Sequence, residues 1–353
     1  MYKGLIRPTL FRFSSKDPEI AHEWAISLLH YLGSSHWLAK ASARFMTVQD
    51  PVDLLGLHFP NRVGLAAGFD KNARAAWGLF ALGFGFIELG TITAQEQPGN
   101  QPPRIWRFPE DGALINAMGF NNDGADEVAR RLRSDGRPPI PIGISIGKSK
   151  ATPENDMNAV VKDYLDSLRA LYPYGDYIAI NVSSPNTSGL RKLQGREQLS
   201  LLVRSIRNEL TFLASTKGGS RKPLLVKIAP DITPQAIDDI LQVSSDEGID
   251  GIIATNTTTG REGLHVPTNV EGGLSGRPLK EKALQVASYV RRKAPNLPLI
   301  GVGGIESVDD ARRMVEIGGA DLVQIYTGFI YEGLFFPRRI ARGLRLAPAR
   351  ARG

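Results

Sequence analysis

Residues 176–191 read DYIAINVSSPNTSGLR. The run from Tyr177 to Ile180 is apolar on both alternating faces, the pattern of a strand buried inside a parallel sheet. It passes straight into Asn181, Ser183, Ser184, Pro185, Asn186 and Thr187. Pro185, Asn186 and Gly189 are enough to make a turn. The other small polar side chains need a different reason, and the rest of the chain supplies one. The same design recurs in RVGLAAGF (62–69), FGFIELGTIT (84–93), PIGISIG (141–147), PLLVKIA (223–229), GIIATN (251–256), LPLIGVGG (297–304) and DLVQIYTG (321–328). Segments with helical periodicity lie between most of them, at 153–171, 197–215, 233–247, 278–294 and 307–318. About eight such β-α units predict a closed (β/α)8 TIM barrel rather than an open sheet.

In that architecture the C-terminal ends of the strands share one mouth. Lys71, Thr91, Ser145, Asn181, Ser184, Asn186, Lys227, Thr255 and Asn256 stand at or just past those ends. One polar strand end is usually a turn; so many together point to a ligand. GVGGI (301–305), followed by Glu306 and Ser307, sets glycine amides before a helix, and YTG (326–328) does the same at the eighth run. Such amides favour a phosphate, although Gly303 and Gly304 could also serve close packing. Lys71 and Lys227 are placed on the first and fifth strands. Lys227 is flanked by apolar residues in LVKIA, so its ammonium must meet negative charge or an electron-rich ring. A core carboxylate such as Glu88 is the plainer partner.

The totals narrow the function further. The chain has 353 residues, a net charge of +7 and no cysteine. Disulfides, thiolate metal sites, iron–sulfur clusters and a cysteine nucleophile are thereby excluded. The five histidines show no zinc-binding spacing, and no metal is expected. The positive charge favours anionic partners, but no dense basic helix or nucleic-acid motif accompanies it. No apolar run reaches the ~20 residues of a membrane span, and no signal peptide is evident. Residues 1–50 differ from the rest. Asp17-Pro18 opens a helix whose Ile20, Trp24, Ile26, Leu28, Leu29, Tyr31 and Leu32 form an apolar face, and Trp37, Leu38, Phe45 and Met46 extend it. Lys3, Arg7, Arg12, Lys16, Lys40 and Arg44 dot this segment. It is either a helical cap on the barrel or a basic amphipathic pair lying on a membrane. The expected division is a helical segment at 1–50, the barrel at 51–340 and a basic, fraying tail at 341–353. Two connections are long: 94–121, expected to hold a small hairpin, and 257–277, long enough for a lid.

The motifs LAAGFDKN, GTIT, QPGN, NAMGFNN, NVSSPNT, KIAPD, TNTT, GGLSGRPL, GVGGI and QIYTGFIYEG, in this order from about residue 50 to 335, resemble dihydroorotate dehydrogenase. The helix at DPEIAH and the serine in NVSSPN resemble its quinone-dependent, membrane-associated class (class 2). The resemblance implies an FMN-dependent oxidation of dihydroorotate to orotate in pyrimidine (UMP) biosynthesis, with one FMN per chain. Ser184 would be the base that takes the C5 proton, while a hydride passes from C6 to flavin N5. Lys71, Asn116, Ala117, Met118, Gly119, Phe120, Asn181, Asn186, Asn256 and Thr257 would surround the substrate. Ala67, Gly68, Phe69, Asp70, Lys71, Thr91, Ser145, Asn181, Lys227, Thr255, Gly276, Gly304, Tyr326 and Thr327 would hold FMN. The N-terminal helices would form a quinone tunnel, with residues 1–45 on anionic lipid at the cytoplasmic face of the membrane, in a monomer that binds no nucleic acid.

Those roles make chemical sense. Asparagine amides offer a donor and an acceptor to a cyclic imide. Lys227 would stabilise negative charge on a reduced flavin. A serine works as a base only if its own proton moves on, here through water and Thr187. Ser145 departs from the family, which commonly carries asparagine there. Ser183 and Ser184 are neighbours, so on a strand only one can face the substrate. The rival readings are a soluble flavin barrel using fumarate or a nicotinamide acceptor, a non-flavin phosphate-binding isomerase or lyase, and a membrane-surface module without catalysis.

Overall fold

The computed structural model describes Arg7 and residues 17–187 and 189–345. Lys3, Arg12, Lys16 and residues 346–353 lie outside them. Two helices lead, α1 (Pro18–Ser34) and α2 (His36–Met46), followed by a hairpin of β1 (Val52–Leu54) and β2 (Leu57–Phe59). Next come β3 (Val63–Leu65), α3 (Ala76–Ala81), β4 (Phe86–Ile92), β5 (Ile105–Phe108), β6 (Ala113–Asn116) and α4 (Ala125–Asp135). The middle of the chain alternates regularly: β7 (Ile142–Ile146), α5 (Met157–Leu171), β8 (Tyr177–Asn181), α6 (Arg196–Lys217), β9 (Leu224–Ile228) and α7 (Pro234–Glu247). It ends with β10 (Gly251–Ala254), β11 (Gly273–Gly276), α8 (Lys280–Lys293), β12 (Leu299–Val302), α9 (Val308–Glu316), β13 (Leu322–Ile325), α10 (Thr327–Glu332) and α11 (Phe336–Arg345).

Eight parallel strands close on themselves in the order β3-β4-β7-β8-β9-β10-β12-β13, and each falls inside one of the eight apolar runs. Local chemistry sets several helix starts. Asp17 accepts a hydrogen bond from the Glu19 amide at 2.9 Å, with Pro18 in the first turn of α1. Asp156, Thr233 and Ser307 cap α5, α7 and α9 in the same way. The helical pattern from residue 153 therefore becomes a helix only at Met157, where Asp156 supplies its cap.

Alternation sorts the strand side chains into two cores. One face packs against the surrounding helices. The other fills the barrel with Phe86, Tyr177, Ala179, Leu225, Ile253, Ile300 and Leu322. The β1–β2 hairpin, absent from the sequence reading, joins this inner core through Leu54 and Phe59, and Phe59 meets Phe86 edge to face at 5.3 Å. Continuing each inward series toward the strand's C-terminal end gives Asn181, Lys227, Thr255, Gly304 and Tyr326.

Three expectations change. The stretch 257–277 ends in β11, which pairs with β6 and extends the expected β5–β6 hairpin into a three-stranded sheet. The loop is thus tied into that sheet, and the Thr258–Leu274 bridge and a His265–Asp111 contact hold it further. Lys71 lies past the end of β3, in a turn rather than on the strand. The basic run after Phe336 is not a frayed tail up to Arg345. It is helix α11, whose Phe336, Ile340, Ala341 and Leu344 are buried, so the ordered chain passes the boundary drawn at 340.

The leading helices are fastened to the barrel. Arg104 grips Glu19 through two hydrogen bonds, at 2.8 and 2.9 Å, and Arg74 pairs with Glu23 at 2.8 Å. Helix α1 crosses α3 where two glycines touch. A Cβ on Gly33 would lie 2.6 Å from the Gly78 nitrogen, and one on Gly78 would strike the Leu29 carbonyl. A Gly78→Val variant is therefore expected to loosen α1 and α2 by about 1–3 kcal/mol while the barrel stays closed. Limited proteolysis checks this: cleavage should appear before Val52 at protease levels that spare the parent protein, and equal resistance would contradict the crossing.

Candidate active site

The strand ends enclose a cavity of about 480 Å³, within the range of small-molecule and cofactor sites. Eight of the nine polar residues picked from the strand ends line it: Lys71, Thr91, Asn181, Ser184, Asn186, Lys227, Thr255 and Asn256. Of the remaining candidates, Ala67, Gly68, Phe69, Asn116, Met118, Gly119, Phe120, Thr257, Gly276, Gly304, Tyr326 and Thr327 line it too.

Three candidates stand behind the wall. Ser145 is fully buried and spends its hydroxyl on Thr91, 3.0 Å away, being too short to reach past it. Asp70 turns inward and accepts from the Arg74 and Ala75 amides at 2.9 and 2.7 Å. Burial pushes its carboxyl above the usual range, against those two amides. Ala117 contributes backbone only: its amide donates to the Arg104 carbonyl at 2.8 Å and its carbonyl accepts from Asn100 at 2.9 Å.

The cavity floor is charged. Lys227 Nζ lies 3.6 Å from Glu88 Oε1, and Glu88 has no exposed surface. Glu88 Oε2 accepts from Gln324 Nε2 at 2.8 Å and from the Tyr177 hydroxyl at 3.2 Å. Burial and then the Glu88 charge hold the Tyr177 phenol well above its ordinary pKa, so it stays a donor. Lys227 thus meets Glu88, the plainer partner weighed in the sequence reading, and also lines the cavity.

On one side the wall is a web of amides and hydroxyls. Asn181 donates to Thr91 at 2.8 Å and accepts from the Ser183 amide at 3.2 Å. Asn256 donates to Ser183 Oγ at 2.9 Å, and Asn186 donates to Asn116 Oδ1 at 2.9 Å. Ser183 is consumed in this web. Ser184 faces the cavity, and its Oγ accepts the Asn186 amide at 3.2 Å, its one hydrogen bond among the described residues. Nearby Thr187 Oγ1 is buried with no partner among the described residues. Phe120 lines this side at φ 56°, a left-handed conformation that costs about 1 kcal/mol or more in a non-glycine residue. Lys71 sits above. Burial brings its ammonium down to about 8, although Glu19 and Glu23 pull the other way.

The opposite side is apolar. Trp24, Ala25, Leu28, Leu29 and Leu32 of α1 continue the cavity outward toward Ile330 and Leu334. Trp24, Leu28 and Leu334 are also exposed, so the channel opens at the surface between α1 and the turn after α10. Two polar side chains missed by the sequence reading, His22 and Arg107, interrupt it. Burial first, then the charges of Lys71 and Arg74, brings the His22 imidazole down to about 3, so it is neutral at working pH. Gln324, also missed, could have been found by counting two residues back from Tyr326 along β13.

The donor set fits FMN. Gln324 Oε1 is a buried acceptor with no partner among the described residues, matching an imide N–H. Gly68 (φ 96°) leaves the cavity open beside the Tyr326 ring, 3.5 Å from where a Cβ would sit. Gly276 and Gly304, with the Thr327 and Ser275 hydroxyls, offer donors of the kind a phosphate needs.

Residues 51–347 match the family model described as dihydroorotate dehydrogenase. A Chloroflexus aurantiacus protein named dihydroorotate dehydrogenase (quinone) is 49 % identical over 354 residues, 97 % of this chain and 96 % of that one. A Thermus thermophilus protein of the same name is 47 % identical over 334 residues, 93 % and 92 % of the two chains. The crystal structure of DHODH from Eimeria tenella in complex with ferulenol superposes with a TM-score of 0.81, at 37 % identity, over 93 % of this chain and 90 % of that one.

The position of Lys71 gives a pH dependence. Burial brings the Lys71 ammonium down to about 8 from the ordinary lysine value of 10.5. Across that window the unfolded chain holds more protons, so this group adds stability as pH rises. A carboxylate ligand wants the charged form, so its affinity should fall as pH climbs through about 8. Calorimetric titration with orotate at pH 7 and pH 9.5, values chosen to bracket the Lys71 transition, checks this; equal affinity at both would mean that Lys71 does not meet a ligand carboxylate.

Proposed function

The chain belongs to the dihydroorotate dehydrogenase family, and we propose that it oxidises dihydroorotate to orotate in pyrimidine biosynthesis and passes the electrons to a membrane quinone. The observation that carries the reading is one cavity with two unlike walls, an amide-rich wall around Ser184 and an apolar channel along α1. FMN would lie between them, held by Gly68, Thr91, Lys227, Thr255, Gly276, Gly304 and Thr327, and would supply the two-electron acceptor.

The chain's own residues then divide the work. Asn116, Asn181, Asn186 and Asn256 fix a flat ring by its amide edges. Lys71 holds the carboxylate. Ser184 Oγ, which among the described residues only accepts the Asn186 amide, takes the C5 proton and passes its own toward Thr187 through solvent. Lys227 places a fixed cation where negative charge develops, in a site that excludes water. On the far side, His22 and Arg107 offer hydrogen bonds to a quinone head while the leucines of α1 cover its ring. The apolar wall favours a quinone over fumarate or a nicotinamide, both of which carry charge.

The channel mouth supports a membrane role. Tyr31, Trp37, Leu38 and Phe45 stand exposed beside it on α1 and α2, with Phe335 across the opening. Lys40 and Arg44 flank them and suit an anionic surface. No helix among the described residues is long and apolar enough to cross a membrane.

Two variants test the halves separately. Ser184→Ala should keep its FMN yet lose dihydroorotate-driven bleaching by about 10²–10⁴-fold; a parental rate in anaerobic stopped flow would remove Ser184 from its role. Ala25→Trp should fill the channel and raise the KM for quinone by about tenfold, the equivalent of 1.4 kcal/mol, while dihydroorotate still bleaches the flavin at the parental rate. An unchanged KM would mean that quinone arrives by another path.

A further inference from the structure

Behind the amide-rich wall a single carboxylate gathers three loops. Asp231 closes the KIAPD turn after β9. Its Oδ1 accepts from Thr258 Oγ1 at 2.5 Å and from Lys282 Nζ at 2.6 Å. Its Oδ2 accepts from the Thr259 amide at 2.9 Å, from Thr259 Oγ1 at 3.3 Å and from Arg191 Nη1 at 3.2 Å. Arg191 spends its other N–H groups on two carbonyls, Ser183 at 3.1 Å and Thr257 at 3.3 Å. The Ser183 carbonyl belongs to the peptide that joins Ser183 to Ser184. The Thr257 carbonyl follows Asn256. Neither Asp231 nor Arg191 lines the cavity, so both act only through what they hold.

Chemistry explains why the clamp needs a carboxylate. Both oxygens are engaged, each by more than one donor, and none of those donors can accept in return except through a hydroxyl. An amide in the same place has one acceptor oxygen, and its NH2 would face either Arg191 or the Lys282 ammonium. Burial pushes the Asp231 carboxyl up, but hydrogen bonds from Lys282, Thr258 and Thr259 outweigh it and hold the group at about 2, so the clamp keeps its charge at any working pH. The turn is fastened a second time where Gln194 Oε1 accepts the Ala229 amide at 3.2 Å.

We propose that Asp231, acting through Arg191, is the positioning residue that holds Ser184 against the substrate ring. This rests on the reading of Ser184 as the base. The clamp ties the Ser184 loop to the turn after β9, and that turn to the Thr257–Thr259 segment, so the two loops that flank the substrate move as one body. Misplacing a reacting group by about 1 Å can cost on the order of 10²-fold in rate.

The test separates the half-reactions in full-length, FMN-loaded protein. Asp231→Asn should slow anaerobic bleaching by dihydroorotate about 10²-fold with its KM nearly unchanged, while quinone reoxidises the reduced protein at the parental rate. Asp231→Glu, which restores both oxygens, should recover most of the loss. A parental bleaching rate in Asp231→Asn, or equal losses in bleaching and reoxidation, would overturn the proposal. If Asp231→Asn does not accumulate as yellow protein, Arg191→Lys, which keeps the charge and removes the fork, gives the same reading. A parental rate in Ser184→Ala would instead overturn the base assignment beneath it, an outcome distinct from failure of the clamp alone.

Discussion

The ion pair between Lys227 and Glu88 is the constraint on which the site depends. Two opposite charges sit inside a closed ring of strands, and Glu88 has no exposed surface at all. Removing one partner of such a pair typically costs about 3–5 kcal/mol, because the other is left buried and uncompensated. The Tyr177 hydroxyl and the Gln324 amide complete the arrangement by donating to the remaining carboxylate oxygen. A carboxylate only accepts, so Gln324 must turn its NH2 toward Glu88, which leaves its oxygen for something else. Below this layer the barrel is filled by Phe86, Tyr177, Leu225 and the hairpin residues Leu54 and Phe59. Chemistry is thereby confined to the upper mouth.

Above that floor, two unlike surfaces share one cavity. The amide side comes from strand ends and from loops tied to one another by side-chain hydrogen bonds. The apolar side comes from a helix that precedes the barrel and is held to it by Arg104–Glu19, Arg74–Glu23 and a glycine crossing. The proposed reaction pairs a polar, anionic reductant with an apolar oxidant, and the unlike walls of this cavity suit that pairing, with α1 supplying the apolar one.

The barrel was readable because its signal is redundant. Each apolar run has two buried faces, and most end in polar residue types that are uncommon in a core. The reading failed where the signal was local or masked. β1 (VDL), β2 (LHF) and β11 (GLSG) are short and lack the continuous apolar run in which the equally short barrel strands are set. In α11 the apolar residues Phe336, Ile340 and Leu344 keep helical spacing, but arginines between them gave the segment the look of a tail. Ser145 and Asp70 were placed correctly near strand ends, but not the way their side chains turn, which depends on Thr91 and on the amides of residues 74 and 75. His22 and Arg107 carried no motif. They matter because of what surrounds them, and only the assembled fold shows that, whereas Gln324 followed from alternation along β13.

The central claim is that this mouth holds a flavin that dihydroorotate reduces from the Ser184 side and quinone reoxidises from the α1 side. Anaerobic addition of dihydroorotate to the purified parent protein tests it most directly. The account predicts a yellow protein with one FMN per chain that bleaches on mixing and regains its colour when quinone is added. A colourless protein, or a yellow one that dihydroorotate leaves unchanged, would contradict it.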